Sequence, residues 1–300
     1  MSVVHDLLCR LEEKDNLTYT PWVEQERHFK NRGLFVFDLP QEIINDFYGL
    51  REYIRIANKS GNIRVLAITS SMNGEGSSTI ATYLSFLMAG GLIKKIDSKR
   101  LADDSDSLFS DDLRTIVNNR KKSNVVPLDK IKNKPDIPVR KDRNDILLVD
   151  ANLNQPSVHR YFDIDVENGL GEILEQNINW REYLTPIQGS NLKIITAGKA
   201  DTKSVELLSS DRFRTMVRQW RNHFKHVIID SPPVLTSIES MSVASVSDGV
   251  ILIVCAGHTR WESAQNAKRK LIATKANLLG VALNRRKMDI PDGLYGRLIA

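Results

Sequence analysis

The stretch Val65-Leu-Ala-Ile-Thr-Ser-Ser-Met-Asn-Gly-Glu-Gly-Ser-Ser-Thr79, followed by the apolar segment from Ile80, decides the fold. A short apolar block enters a loop of small residues with two glycines, and the loop leads into a segment of helical character. Apolar blocks of the same kind recur at 146–149, 192–195, 227–229, 249–254 and 278–283. Apart from Lys193, each block is continuous, not alternating. Continuous blocks belong to strands covered on both faces, as in a parallel sheet flanked by helices. Strand, helix, strand repetition predicts a doubly wound, mostly parallel α/β fold with helices on both sides.

The chain has 300 residues, 41% hydrophobic and 26% charged, with a net charge of +5. These values suit an ordinary globular protein, and the modest basic excess permits an anionic partner without requiring one. Cys9 and Cys255 have no metal-type or redox-type neighbours, so neither a disulfide framework nor a zinc site is expected. The first residues carry mixed charges and no apolar core of a signal peptide, and the apolar stretch 80–93 is too short to span a bilayer. A reducing cytoplasm is the expected compartment. Residues 1–43 are polar and are expected to form an N-terminal extension; 41–57 carry helical apolar spacing at Ile43, Ile44, Phe47, Leu50, Tyr53 and Ile54. The remaining domain, 44–300, is interrupted at 97–143 by a long polar stretch with many lysines and arginines, expected to be an irregular insertion. It is either a solvated loop or an electrostatic contact with an anionic membrane or acidic partner.

The strand–loop–helix unit has the form of an anion nest. Gly74 and Gly76 let the backbone approach a phosphate, and the helix start favours negative charge. Ser78 stands where a P-loop hydroxyl would ligate Mg²⁺, but the consensus lysine just before it is Ser77, and the first consensus glycine is Ser71. Taken alone, the loop is also compatible with a plain strand-to-helix turn. Two further blocks, 146–150 and 227–230, both end in aspartate, Asp150 and Asp230. Strand carboxyl ends converge on the ligand crevice of such a sheet, so these acids and Ser78 form a candidate Mg²⁺ site.

The segment Asp150-Ala-Asn-Leu-Asn-Gln-Pro-Ser-Val-His-Arg-Tyr-Phe162 resembles the Walker A′ motif of the bacterial tyrosine kinases, DADLRxPxxHxxF. Asn168 to Leu174 resembles the NGLxxxL that follows it there. Ile195 to Gly198 and Glu206 to Phe213 resemble the stretch lPAG…ELLxSxxF, His226 to Leu235 resembles Walker B (yviiDtPPvl), and Gly280 to Arg285 resembles the closing GvvlNr. The spaced match runs from about 43 to 286, with the insertion inside it. The resemblance implies a P-loop NTPase of the MinD/ParA-like group that binds ATP or ADP with Mg²⁺. It implies a place at the inner membrane, held there by a polysaccharide co-polymerase or chain-length determinant protein and controlling capsule or exopolysaccharide export; a homo-oligomer fits the family, nucleic acid does not. By position it makes Ser78, Asp150 and Asp230 the metal-holding groups, with Asp150 and Asp230 catalytic. Gly74, Glu75, Gly76, Ser77, Ser78 and Thr79 become the phosphate loop, and Asn284 with Arg285 the residues near adenine.

Four parts of that machine are altered together. Ser77 replaces the lysine; Asn152 replaces the second Walker A′ aspartate and Asn154 the arginine after it. The ring-forming ExxRxxR helix keeps only Arg51, beside Asn45 and Tyr48, and the terminal tyrosine cluster is reduced to Tyr295. The expectation is a pseudokinase with weak or absent ATP turnover, acting as a regulator or scaffold. Two other readings stay open: an active tyrosine autokinase using Lys199, Lys203 or a partner's arginine, and a positioning ATPase, which would need a lysine where Met72 stands.

Overall fold

A computed structural model describes residues 36–39, 41–59, 61–95, 145–166, 168–199 and 203–285. The expected insertion at 97–143 and the segment around Tyr295 lie outside the described residues, as does the part of the expected extension before residue 36. Nine strands are seen among them: β1 (Val36–Leu39), β2 (Val65–Ser70), β3 (Leu92–Lys95), β4 (Ile146–Asp150), β5 (Thr185–Pro186), β6 (Leu192–Ile195), β7 (His226–Asp230), β8 (Gly249–Cys255) and β9 (Leu278–Asn284). The helices are α1 (Gln41–Ala57), α2 (Ser77–Met88), α3 (Val158–Tyr161), α4 (Leu170–Glu175), α5 (Ser204–Ser209), α6 (Asp211–His223), α7 (Glu239–Val246) and α8 (Trp261–Ala273), with a short 3₁₀ turn at Trp180–Tyr183.

Seven strands form one sheet in the order β5-β6-β4-β7-β2-β8-β9, and β1 pairs with β3 in a separate two-stranded ribbon. Every pairing in the large sheet is parallel except β5 with β6. The six blocks read as strands are strands, and the mostly parallel α/β fold is the observed one. β1, β3 and β5 carried no such signal. β5 has two residues, one of them Pro186, at the sheet edge where a missing N–H costs no ladder bond. The apolar stretch 80–93 divides because α2 stops at Met88 and Gly90 turns the chain at φ 71° before β3.

The continuous blocks are explained by burial on two sides. Leu66, Ile68, Ile146, Leu148, Ile228, Ile251 and Ile253 join one core with Ile44, Phe47, Leu50 and Ile54 of α1 and Ile80, Leu84 and Leu87 of α2. The alternate residues Val65, Ala67, Leu147, Val149, Val227, Ile229, Val250 and Leu252 join a second core with Leu170 of α4, Phe213 and Trp220 of α6, Val243 of α7 and Leu271 of α8. Successive side chains leave a strand on opposite faces, so each block must be apolar throughout. Among the described residues no helix is long and apolar enough to cross a membrane.

Candidate nucleotide site

β2 lies between β7 and β8, and the loop 71–76 leaves it at the carboxyl end of the sheet to start α2. Gly76 sits immediately before the helix at φ 89°, a conformation open to glycine at little cost. A Cβ there would come within 2.3 Å of the Asn284 side-chain nitrogen. That nitrogen donates to the Glu75 carbonyl at 2.9 Å, and the Asn284 Oδ1 accepts from the Arg285 N–H. The closing strand β9 thus clamps the loop backbone from outside. Arg285 itself is exposed, with φ 57°.

Glu75 is fully buried. Its carboxylate accepts from the Ser71 N–H at 2.7 Å, the Ser71 hydroxyl at 2.6 Å and the Met72 N–H at 3.0 Å, and from the Thr259 hydroxyl at the start of the β8–α8 connection. The acid turns under the loop and replaces a ligand for its first two amides. Gly74 is exposed at φ 82°, Ser77 and Ser78 are half-buried on the first turn of α2, and Thr79 Oγ1 lies 2.7 Å from the Tyr161 hydroxyl.

Asp150 and Asp230 occupy the same register position on the paired strands β4 and β7, and both are completely buried. Asp150 accepts three backbone N–H groups, from Asn152 at 3.1 Å, Ser157 at 3.0 Å and Val158 at 3.1 Å. Burial nevertheless pushes it up from 3.8 to about 6, against the pull of those amides. Asp230 stands well above the usual carboxylate range, first through burial and then through the adjacent Asp150 charge; the Ser78 hydroxyl is the group that draws it down. Apart from the approach of that hydroxyl, neither Asp230 oxygen has a hydrogen-bond partner. A buried carboxylate without partners is costly, and a cation is the natural remedy. Among the described residues no lysine or arginine makes an ion pair with Asp150, Asp230 or Glu75. The structure thus brings Asp150, Asp230 and Ser78 together. Two carboxylates and a hydroxyl are hard oxygen donors of the set that holds Mg²⁺ when phosphate and water complete the shell. No group of three or more acidic, histidine or cysteine residues is placed for a metal among the described residues, so these donors would need that completion.

Two positions altered from the motif are built into other contacts. Asn152 bonds Asp150 only through its backbone. Asn154 Nδ2 donates to Glu239 Oε1 at 2.9 Å, and the same oxygen accepts from Ser204 Oγ at 2.6 Å. Glu239 opens α7 and is buried; as a lone acid at a helix start it carried no signal in the sequence. Neither candidate substitute lysine bonds these acids: Lys203 pairs with Glu175 at 3.3 Å, and the Lys199 N–H donates to Glu172. On α1, Arg51 stacks over the ring of Tyr48 at 4.8 Å.

No family model matches the sequence. Tyrosine-protein kinase YwqD of Bacillus subtilis is 30% identical over 153 residues, which cover 50% of this chain and 65% of that protein, just under two thirds of its length. The putative tyrosine-protein kinase CapB of Staphylococcus aureus is 21% identical over 87% of this chain and 93% of its own. Among solved structures, the kinase domain of the Escherichia coli tyrosine kinase ETK superposes with a TM-score of 0.61 at 18% identity, covering 83% of this chain and 77% of that one. The cell division ATPase MinD of Pyrococcus furiosus superposes with a TM-score of 0.51 at 17% identity, covering 79% of each. The fold is therefore one shared with those kinase and ATPase domains, and the chain is a homologue of the bacterial tyrosine-protein kinases.

Proposed function

We propose that this chain is a pseudokinase of capsule or exopolysaccharide synthesis and export, a regulator or scaffold that binds ATP or ADP with Mg²⁺ weakly and does not phosphorylate itself. It would act in the cytoplasm, against the inner membrane, through a polysaccharide co-polymerase. The observation that carries the reading is the contrast at one site: Asp230 is a buried carboxylate answered by no group but the nearby Ser78 hydroxyl among the described residues, while residue 77, where the phosphate-neutralising cation belongs, is a serine.

Ser78, Asp150 and Asp230 would hold the metal, and Gly74 to Thr79 would receive the phosphates. Bound Mg²⁺ would neutralise phosphate charge and polarise the terminal phosphorus. Asp150, tied by three amides, keeps the position of its neighbour fixed. Asp230 takes or releases a proton at its carboxylate as the cation leaves or arrives. Without the lysine, a charge-assisted contact worth about 1.5–3 kcal/mol is missing, which weakens nucleotide binding by roughly 10- to 100-fold and leaves transition-state charge uncompensated.

Titration of the pure protein with ATP and Mg²⁺, together with a phosphotyrosine blot after incubation, tests this. Weak, Mg²⁺-dependent binding that is lost in Asp230→Ala, and a blank blot, are expected. Strong autophosphorylation of the unaltered chain would overturn the pseudokinase reading.

A further inference from the structure

At the amino end of the sheet, opposite the candidate nucleotide site, a cleft of about 280 Å³ is lined by Asn58, Gly61, Arg64, Phe224, Lys225 and His226. Arg64 immediately precedes β2 and His226 opens β7; the two are joined by the bond from the Val227 N–H to the Arg64 carbonyl at 2.8 Å. Phe224 is fully buried and forms the floor. The wall is rigid: the Asn58 amide both donates to and accepts from the backbone of Ile63 at 2.8 Å.

The charges around this cleft do not balance. The two acids that flank it are already engaged. Asp145 pairs with Lys193 at 2.7 Å, and Asp248 accepts the backbone N–H groups of Arg64 and Val65 and the side chain of Arg221 at 3.1 Å. The side chains of Arg64 and Lys225 make no ion pair among the described residues, and the His226 ring lines the cleft beside them. Burial, with Lys225 and Arg64 beside it, holds the imidazole below its usual range. Two fixed cations and a donor-capable ring, converging on a pocket with no acid left to answer them, match the chemistry of a dianionic phosphate group.

We propose that this cleft is an anion-binding site for the phosphate of a small molecule, separate from the phosphate loop. Arg64 supplies the fork, Lys225 the point charge and His226 a ring N–H. The volume holds a phosphate with a few further heavy atoms and is small for a nucleotide, whose pockets start near 300 Å³. The shared chemistry is the phosphate dianion, whether free or esterified to a short polyol.

The test is NMR of the full chain, with the His226 ring signals assigned through His226→Asn. Inorganic phosphate and glycerol 3-phosphate are titrated in turn at constant ionic strength set with sodium chloride. A saturable shift of the His226 signals is expected, with the imidazole titrating at higher pH once the anion is bound. Tighter binding of glycerol 3-phosphate identifies an ester as the ligand; equal binding identifies free phosphate. Arg64→Ala should weaken the response by about tenfold or more. Lys225→Ala, at an exposed position, provides a second variant if the first folds poorly. A His226 response that does not saturate, that chloride reproduces, or that survives both substitutions overturns the proposal.

Discussion

Ser77 opens α2 at the mouth of the glycine loop, one residue before Ser78, whose hydroxyl draws Asp230 down. Ser77→Lys should restore a cation beside the phosphate path and tighten ATP·Mg²⁺ binding by roughly one to two orders of magnitude. Isothermal titration reads this directly, and unchanged affinity would show that the loop cannot present phosphate at all. Phosphotyrosine should stay absent in that variant, because Asn152 and Asn154 are separate losses. The acids of this site were legible because a strand that ends in aspartate places it at the crevice. The inward turn of Glu75 was not legible. Its partners Ser71 and Met72 are local, but Thr259 stands 184 positions away, and only the fold brings that hydroxyl under the loop. The Asn154–Glu239–Ser204 contact was hidden for the same reason.

Among the elements, the loop before α2 is held from two directions, by Glu75 below and by Asn284 of β9 outside. Gly76→Ala should therefore cost about 2 kcal/mol: roughly 1 for an alanine in the left-handed region and about 1 for the Asn284 bond that its Cβ displaces. In a domain of this size that lowers the melting temperature by roughly 4–8 °C. Asn284→Ala alone should cost about 1 kcal/mol, and the pair should cost less than the sum, because both act on one contact. Thermal melts of the three variants test this, and strict additivity would separate the two residues. The strands buried on both faces were readable from uninterrupted apolar runs. β5 and β3 were not, since two residues with a proline, or four with Lys94 and Lys95, carry no periodicity against which to read them.

For the whole molecule, the buried acid pair ties stability to pH. An unfolded aspartate ionises near 3.8, while the fold holds Asp150 near 6 and Asp230 well above its ordinary range, so the fold favours the protonated forms. Their contribution is fully present below about pH 4 and is lost as pH rises through about 6 and beyond, on the order of 3 kcal/mol for Asp150. His159 and His226, both held below 6.5, act in the opposite sense. The slope is therefore best read as the difference between the wild-type protein and Asp230→Asn, which leaves both histidines in place. The variant should gain stability over the wild type as pH rises from 4.5 to 7.5, and parallel melting curves would count against the pair. The position of β2 has one more consequence. Its neighbours β7 and β8 come late in the chain: Thr69 reaches its partner Pro232 across 163 residues, and Arg64 reaches Asp248 across 184. As the chain leaves the ribosome, the strand that carries the glycine loop emerges early and waits, unpaired on both edges, until most of the protein has been made. Closure of the sheet around it is then a late, long-range event, and translation speed between β4 and β8 sets how long that bare strand is open to chaperones or to misassembly.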